Sequence, residues 1–189
     1  MKLGKVQVDK KNRIITFPAT LNLQAGIIEY LLVTTSGKIH ESLLRTDIEP
    51  FQLHAAMLLL GAKGAGTNAF PEDPTKPIPG DPIGIELSWR EGRGTVRKPA
   101  DQFIYNARAQ SSMTAGPWTY TGSQMWEGTF IAQQDGSIVA IFLDPDALVN
   151  NPRPGHENDE IWLVNTNGLP PLNVEITVTF KPLFQTADE

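Results

Sequence analysis

The chain has 189 residues, no cysteine and a formal net charge of −5. This length is typical of one domain, and the absence of cysteine excludes disulfide bonds, iron–sulfur clusters and thiolate metal sites. The negative charge disfavours a nucleic acid as the partner, because such binding depends on Lys and Arg. The 16 glycines and 15 prolines indicate many turns, which favours a strand-rich fold over a helical bundle.

Alternating or β-branched runs predict strands in the first part of the chain. Residues 5–9 and 13–17 alternate around a polar turn, and residues 19–23 form a third short run. Residues 27–35 are rich in apolar and β-branched side chains, and the turn signal Ser36-Gly37 separates them from an alternating run at 38–44. We predict that these last two runs form an antiparallel hairpin.

One helix is predicted at about residues 50–61. Pro50 suits a first helical position, Gly61 suits the stop, and nearly every direction around the axis between them is apolar. A helix that is apolar all round is typically buried, and this one is shorter than the roughly 20 residues that span a bilayer. We therefore expect Leu58→Ala to cost about 2–5 kcal/mol, as a truncation in the core does.

The second half of the chain continues as strands. A proline-bearing stretch at 61–82 shows no periodicity, which is typical of a lid, a binding loop or disorder. Pro99 allows a second, short helix near 99–107, and Gln133 to Gly136 suggests a hairpin turn. Strands are predicted at 83–90, 95–97, 118–122, 125–132, 137–143, 161–164 and 174–180.

These elements predict an α+β fold in a single domain, residues 1–189. The sheet is expected to be mostly antiparallel, sandwich- or barrel-like, and packed around the one buried helix. No internal repeat and no interdomain linker interrupts the sequence.

Several segments resemble the YdjY-like family of bacterial proteins. They include the strand Ile28 to Val33, Gly-Lys-Ile-His-Glu-Ser from Gly37, Leu-His-Ala-Ala-Met-Leu-Leu-Leu-Gly from Leu53, Gly-Pro-Trp-Thr-Tyr-Thr-Gly-Ser from Gly116 and Phe-Leu-Asp-Pro-Asp-Ala-Leu from Phe142. The resemblance covers most of the chain and implies a shared fold rather than an activity. It also implies an exported protein, either periplasmic or anchored as a lipoprotein.

The start of the sequence does not itself contain an export signal. The first twelve residues, MKLGKVQVDKKN, lack the apolar region of a signal peptide, so export rests on the resemblance and a cytoplasmic location stays open. We expect no transmembrane segment in this chain.

His40, Glu41 and His54 are the best candidates for catalysis. Imidazole and carboxylate groups serve as acids, bases and metal ligands, and His40 could pair with His54 and a carboxylate. On a strand, however, His40 and Glu41 would point to opposite faces. The alternative is architectural, with these polar groups hydrogen-bonded around the helix.

Lys38, Trp118, Tyr120 and Trp126 are the candidate binding residues. Lys38 belongs to the most specific of the family-like segments. Trp118 and Tyr120 share one strand face, and with Trp126 they could form a stacking platform for a sugar or a peptide. The alternative is that these aromatic side chains pack in the core.

Asp144, Asp146 and Asp159 are weak candidates for a Ca²⁺ site. The EF-hand spacing fails because Pro145, Pro152 and Pro154 interrupt the register, and a solvated acidic loop is the alternative. The HExxH zinc pattern and the glycine-rich phosphate loop are also absent, so we expect no cofactor.

Two functions remain open from the sequence. The first is a non-catalytic binding or structural module of the bacterial envelope, with an unidentified protein or envelope component as its partner. The second is a hydrolase or metal-dependent enzyme that uses His40, Glu41 and His54. The sequence favours the first, because it contains no catalytic motif with correct spacing, and Ser42 and Ser123 are nucleophiles only in principle.

Overall fold

The computed structural model describes residues 1–66, 68 and 70–184. The strands are β1 Lys2–Leu3, β2 Val6–Asp9, β3 Ile14–Leu21, β4 Tyr30–Thr34, β5 Ser42–Thr46, β6 Asp81–Glu91, β7 Gly94–Pro99, β8 Ile104–Asn106, β9 Ser111–Ser112, β10 Trp118–Tyr120, β11 Met125–Trp126, β12 Thr129–Phe130, β13 Ser137–Ala140, β14 Val149–Asn150, β15 Trp162–Val164 and β16 Glu175–Pro182. The α-helices are α1 Pro50–Leu59 and α2 Ile131–Asp135.

Eight strands close into a barrel in the order β3-β16-β6-β10-β14-β13-β4-β5. Pairing between β5 and β3 closes it, with Leu21 opposite Leu44. Most of the strand pairs are antiparallel. The closed barrel and these pairs confirm the expectation of a mostly antiparallel, barrel-like sheet. The hairpin β1-β2 extends the sheet from β3, and β7 extends it from β6.

The strand β3 merges two runs that the sequence suggests as separate strands. It pairs with β2 through residues 14–16 and with β5 through residues 20–21, on the same edge. Pro18 lies between these two pairings, where its missing N–H leaves no ladder bond unmade. Its carbonyl accepts a hydrogen bond from Thr46 Oγ1 at 2.6 Å.

The predicted hairpin at residues 27–44 is wrong. Strands β4 and β5 are neighbours but run parallel, with Tyr30 opposite Ser42 and Thr34 opposite Thr46. A turn at Gly37 and the 3₁₀ helix Ile39–Glu41 carry the chain back to the start of β4. Parallel neighbours usually need a crossover of a dozen or more residues, so the short connection misleads the sequence argument.

The three long strands of the barrel alternate in burial, whereas β4, β10, β13 and β14 are buried at every residue. In β6 every second side chain is buried, and β3 and β16 show the same period. Phe17 and Phe180 meet edge to face inside the barrel, with their ring centroids 5.3 Å apart. The predicted strand at 161–164 lies elsewhere, because β15 pairs with β8 in a separate sheet of three strands, β15-β8-β9.

Helix α1 begins at Pro50 as predicted and ends in a Schellman motif. The N–H of Ala62 donates to Met57 O at 3.1 Å, and that of Gly61 donates to Leu58 O at 2.9 Å. Gly61 takes φ +88°, which a glycine adopts at low steric cost. The helix contacts β1, β2 and α2.

The expectation that α1 is buried all round is wrong. Its inner side joins the core through Leu53, Ala56 and Met57, but Phe51 and Leu58 are 55% and 48% exposed. An all-round apolar pattern cannot say which directions the rest of the fold will cover. The core-truncation cost expected for Leu58→Ala therefore does not apply.

Three further predictions near turns differ from the structure. The short helix suggested at 99–107 is the 3₁₀ helix Ala100–Phe103 followed by β8. The strand suggested at 125–132 is a two-stranded hairpin, β11-β12, that leads into α2. The turn suggested at its end is the last part of α2, where Gly136 caps the helix with φ +74°.

The described parts of the 61–82 stretch contain turns before β6 begins at Asp81, while Thr67 and Ala69 lie outside the described residues. Among the residues that the structure describes, no helix has the length and apolar character needed to cross a membrane.

Candidate functional site

A cleft lies where helix α1 meets the segment that follows β10. Its volume is about 210 Å³. The segment 61–66 forms one wall, because Ala65 N donates to Thr121 O at 2.8 Å. Gly64 makes this close approach at φ +67°, where an added Cβ would lie 2.6 Å from Thr121 O. The lining consists of Phe51, His54, Lys63, Gly66, Thr121, Gly122, Ser123, Gln124, Met125 and Phe130.

His54 and Tyr120 form the polar contact of this cleft. The Tyr120 hydroxyl lies 2.7 Å from His54 Nδ1. Burial lowers the pKa of His54 and raises the pKa of Tyr120, and the charge of Asp81 raises the latter further. Both side chains are therefore neutral near pH 7. We assign the phenol as the donor to Nδ1, which leaves the imidazole proton on Nε2.

Aromatic packing fixes the position of the His54 ring. The Phe130 ring centroid lies 5.0 Å from the imidazole, and Phe51 contacts Phe130 edge to face at 5.8 Å. Phe51 is nevertheless 55% exposed, and Met125, which also lines the cleft, is 61% exposed. The cleft is thus a half-buried imidazole surrounded by apolar side chains that remain open to solvent.

The outer face of α1 continues this apolar lining. Phe51, Ala55 and Leu58 follow the i, i+4, i+7 spacing of one helix face. Leu59 flanks that face and is 45% exposed. Together with Met125, these four residues of α1 form a patch that we call the apolar surface.

Two serine hydroxyls that could serve as nucleophiles have other roles. Ser123 Oγ donates to Asp146 O at 2.6 Å and accepts a hydrogen bond from Ala132 N at 3.1 Å. The Ser42 hydroxyl is fully buried and donates to Leu44 O at 2.8 Å. The Ser123 hydroxyl therefore ties separate backbone segments together, whereas the Ser42 hydroxyl is bonded within its own strand.

His40 and Glu41 lie away from the cleft, on the 3₁₀ helix before β5. His40 Nε2 is 3.5 Å from a Glu41 carboxylate oxygen, so the two side chains meet instead of pointing apart as on a strand. The His40 side chain is 77% exposed. Lys38 Nζ approaches the same Glu41 carboxylate at 4.0 Å.

Lys38 also joins this group to Tyr30. Its ammonium donates to the Tyr30 hydroxyl at 2.9 Å, and that hydroxyl donates to Asp144 Oδ2 at 3.0 Å. Burial raises the pKa of Tyr30 to about 12, and the hydrogen bond to Tyr30 raises the pKa of Lys38. Burial and the charge of Glu41 raise the pKa of Glu29 on the neighbouring segment. The chain Lys38-Tyr30-Asp144 thus links three of the family-like segments.

The structure does not bring together the three residues that the enzyme alternative requires, His40, Glu41 and His54. His54 is bonded to Tyr120, and its cleft includes neither His40 nor Glu41 in its lining. Within the described part of the chain, no three His, Asp or Glu side chains come together so that they could hold a metal ion. The candidate residues therefore form two separate polar pairs, His54 with Tyr120 and His40 with Glu41, and do not form one catalytic group.

The Ca²⁺ candidates also have other partners. Asp144 accepts hydrogen bonds from Tyr30 and from the Asp146 backbone N–H, the latter at 2.9 Å. Asp146 accepts one from the Gln124 side chain. Asp159 is an exposed residue on the other loop. Asp144 and Asp146 thus belong to a hydrogen-bonded turn, in which their carboxylates contact other protein groups.

The suggested aromatic platform does not form on the surface. Trp118 is 1% exposed and Tyr120 is fully buried, so neither presents a free ring face. Arg153 lies over the Trp118 ring at 5.0 Å. Trp126 is 65% exposed on the β11-β12 hairpin next to Met125.

Sequence reasoning missed Phe51, Lys63 and Met125 as cleft residues. A signal for Phe51 exists in the helix pattern, since a helix that is apolar on every side either is enclosed or exposes an apolar face. Tyr30 was also missed, although it lies in the family-like strand. No spacing in the sequence indicates that it bridges residues 38 and 144.

The comparisons with known proteins identify the chain at the level of a family. No curated protein and no solved structure matches it. The family model of the YdjY domain matches residues 6–181. This match covers nearly the whole chain, and the protein therefore belongs to the YdjY domain family.

Proposed function

We propose that this protein is a non-catalytic binding module whose cleft and apolar surface receive a partner protein. The observation that carries the proposal is the exposed apolar face of α1 beside a formed cleft. Soluble proteins seldom leave neighbouring large apolar side chains uncovered unless they contact a partner.

The size of the cleft favours one side chain of a partner over a separate small molecule. Small-molecule pockets usually measure about 300–1,000 Å³, whereas this cleft is about 210 Å³. One aromatic or large aliphatic side chain would fill such a space, as the central anchor of a protein interface does. Phe51 and Met125 would then contact the residues beside the anchor.

The charges around the cleft specify the partner further. Lys63 and His54 are its ionisable lining residues. The carboxylate of Asp81 is engaged behind the wall, where it accepts hydrogen bonds from the backbone of Lys63 and Gly64 at 2.6 and 2.7 Å. The proposed partner segment therefore carries a bulky apolar residue with an acidic residue next to it.

Selection from a displayed library of random peptides tests this proposal on the intact chain. We expect selected peptides to share a large apolar residue flanked by Asp or Glu, and to lose binding to Phe51→Ser and Met125→Ser variants. Leu172→Ser is the matched control, since Leu172 is 47% exposed elsewhere on the surface. Failure to select any peptide, or equal binding to all variants, would contradict the proposal.

The proposed setting is the bacterial envelope. Its support is the resemblance to the YdjY-like family, which implies export as a periplasmic protein or lipoprotein. Fractionation of cells that express the natural full-length protein tests it. Recovery with the periplasm or membranes is expected, and recovery with the cytosol would contradict the setting without affecting the binding proposal.

A further inference from the structure

A second, larger cleft lies between two proline-bearing loops. Its volume is about 520 Å³, within the range of small-molecule sites. One wall is formed by residues 74–78 and the other by residues 152–157, with Pro117 and Thr119 between them. Two of its lining residues, Ile78 and Thr119, are buried, at 7% and 9% exposure. The prolines that line it are Pro74, Pro77, Pro117, Pro152 and Pro154.

Arg153 fixes the position of the second wall. Its guanidinium donates to Thr114 O and Gly116 O, each at 2.6 Å, and to Asn151 Oδ1 at 3.3 Å. The residue is only 8% exposed, and burial lowers its pKa to about 10. The Arg153 side chain therefore braces the loop from inside the fold.

Other buried polar side chains hold the same loop. Trp162 Nε1 donates to Gly155 O at 3.1 Å, and Asn151 Nδ2 donates to Ile141 O at 3.1 Å. His156 is 2% exposed, and its Nδ1 lies 3.1 Å from Arg153 O. Surface loops are usually mobile, whereas this one is anchored at successive residues. A preformed wall lowers the entropic cost of binding a ligand.

The first wall is also constrained. Asp73 closes a turn, since its carboxylate accepts hydrogen bonds from the Thr75 backbone and hydroxyl at 2.9 and 2.7 Å. Lys76 N donates to Asp73 O at 3.0 Å. This turn excludes the extended polyproline conformation that a Pro-x-x-P ligand needs. Pro74 and Pro77 therefore act here as wall residues.

The shape and the chemistry of the walls favour a flat ring. Pyrrolidine rings from both loops present rigid apolar C–H surfaces to the same space. Aromatic rings pack well against proline, as they do in grooves that recognise proline-rich peptides, and here the prolines lie on the receptor.

The available charge in this cleft is positive. The Lys76 ammonium forms no ion pair with the described residues, whereas the Glu157 carboxylate faces Arg108 at 3.8 Å. An anionic group on a ligand could pair with Lys76. The Thr119 side chain forms no hydrogen bond within the described part of the chain, so its hydroxyl can serve as a further polar contact.

We propose that the proline-walled cleft binds a small aromatic carboxylate, with the ring between the two loops and the carboxylate at Lys76. This site is separate from the apolar surface on α1 and does not depend on the function proposed for it.

Titration followed by backbone amide NMR tests the proposal on the intact chain. Indole-3-acetate is the probe, indole-3-acetamide removes its charge, and cyclohexylacetate removes its aromatic ring. We expect saturable shifts at the amides of residues 75–78, 119 and 155–157 with indole-3-acetate. Each altered probe should bind at least about fivefold more weakly, since one charge or ring contact is lost.

Variants locate the binding. Lys76→Ala should weaken the binding of indole-3-acetate by about fivefold, because the charge contact is lost. The binding of indole-3-acetamide should stay unchanged, because that probe carries no charge. Lys63→Ala removes a lysine at the His54 cleft and should change neither. The proposal is overturned by an absence of saturable shifts at about 10 mM, by shifts centred on the His54 cleft, or by equal binding of all three probes.

Discussion

The Tyr120 hydroxyl and His54 Nδ1, 2.7 Å apart, join the central strand β10 to helix α1. The residues are 66 positions apart in the sequence, and their hydrogen bond links two family-like segments. Because the His54 ring also lines the cleft, the same contact fixes the inner wall of the proposed binding surface.

Tyr120→Phe tests this contact with the ring retained. We expect a loss of about 1 kcal/mol in the free energy of unfolding, since the substitution removes one hydrogen bond of a half-buried imidazole. Tyr105→Phe is the control, because the Tyr105 hydroxyl forms no hydrogen bond with the described residues. Denaturant unfolding measures both, and equal stability of the two variants would contradict the role assigned to the contact.

The protonation of His54 should make stability depend on pH. Burial lowers its pKa in the folded state below the unfolded value, so its contribution is present above a pH of about 6.5. That contribution is lost as the pH falls through the folded pKa. Unfolding curves recorded between about pH 8 and about pH 5 measure this loss, which is the contribution of His54 alone.

His54→Gln isolates this effect. The amide does not titrate, so the difference in stability between the natural chain and the variant should shrink as the pH falls. Glu29 and Asp101 titrate in the opposite sense, because burial raises their pKa values and favours the folded state at low pH. They are common to both chains and cancel in the difference. A pH-independent difference would show that the pKa of His54 is the same in the folded and unfolded states, which would contradict the effect of burial.

Adjacent residues on α1 separate its buried side from its exposed side. Met57 is fully buried, and Met57→Ala should cost about 2–5 kcal/mol. Leu58 is 48% exposed, and Leu58→Ala should cost less than about 1 kcal/mol. Thermal melting distinguishes the two. Comparable losses would mean that the outer face of the helix is covered.

Tyr30 should couple Lys38 to Asp144. Tyr30→Phe removes the hydroxyl that both of these side chains contact, and we expect a loss of about 1–3 kcal/mol because a buried polar network is broken. A double-mutant cycle with Lys38→Met and Asp144→Asn should give a coupling energy above about 0.5 kcal/mol. Additive losses would argue against the network.

The parts of the fold predicted from the sequence depend on local patterns. The alternation of apolar residues predicts β6, and Pro50 and Gly61 predict the ends of α1. Each of these patterns lies within one element of the fold. The parallel pairing of β4 and β5 depends on where the chain goes after Gly37, which local alternation does not encode. Helix α2 resembles a strand in the sequence because its apolar start continues the run of β12.

The candidate site was predictable only in part for the same reason. His54 and Tyr120 were recognised from their residue types, but their contact joins elements that are distant in the chain. The exposure of Phe51 and Leu58 depends on what the fold leaves uncovered, and no periodicity in the helix states that.

Thiol labelling tests the central claim, that the outer face of α1 is a binding surface, most directly. The chain contains no cysteine, so Ala55→Cys and Leu58→Cys each introduce one thiol, with Leu172→Cys as the control. We predict that a peptide selected from the displayed library slows labelling at residues 55 and 58 and leaves residue 172 unchanged. Unchanged labelling at residues 55 and 58 with the peptide bound would contradict the account.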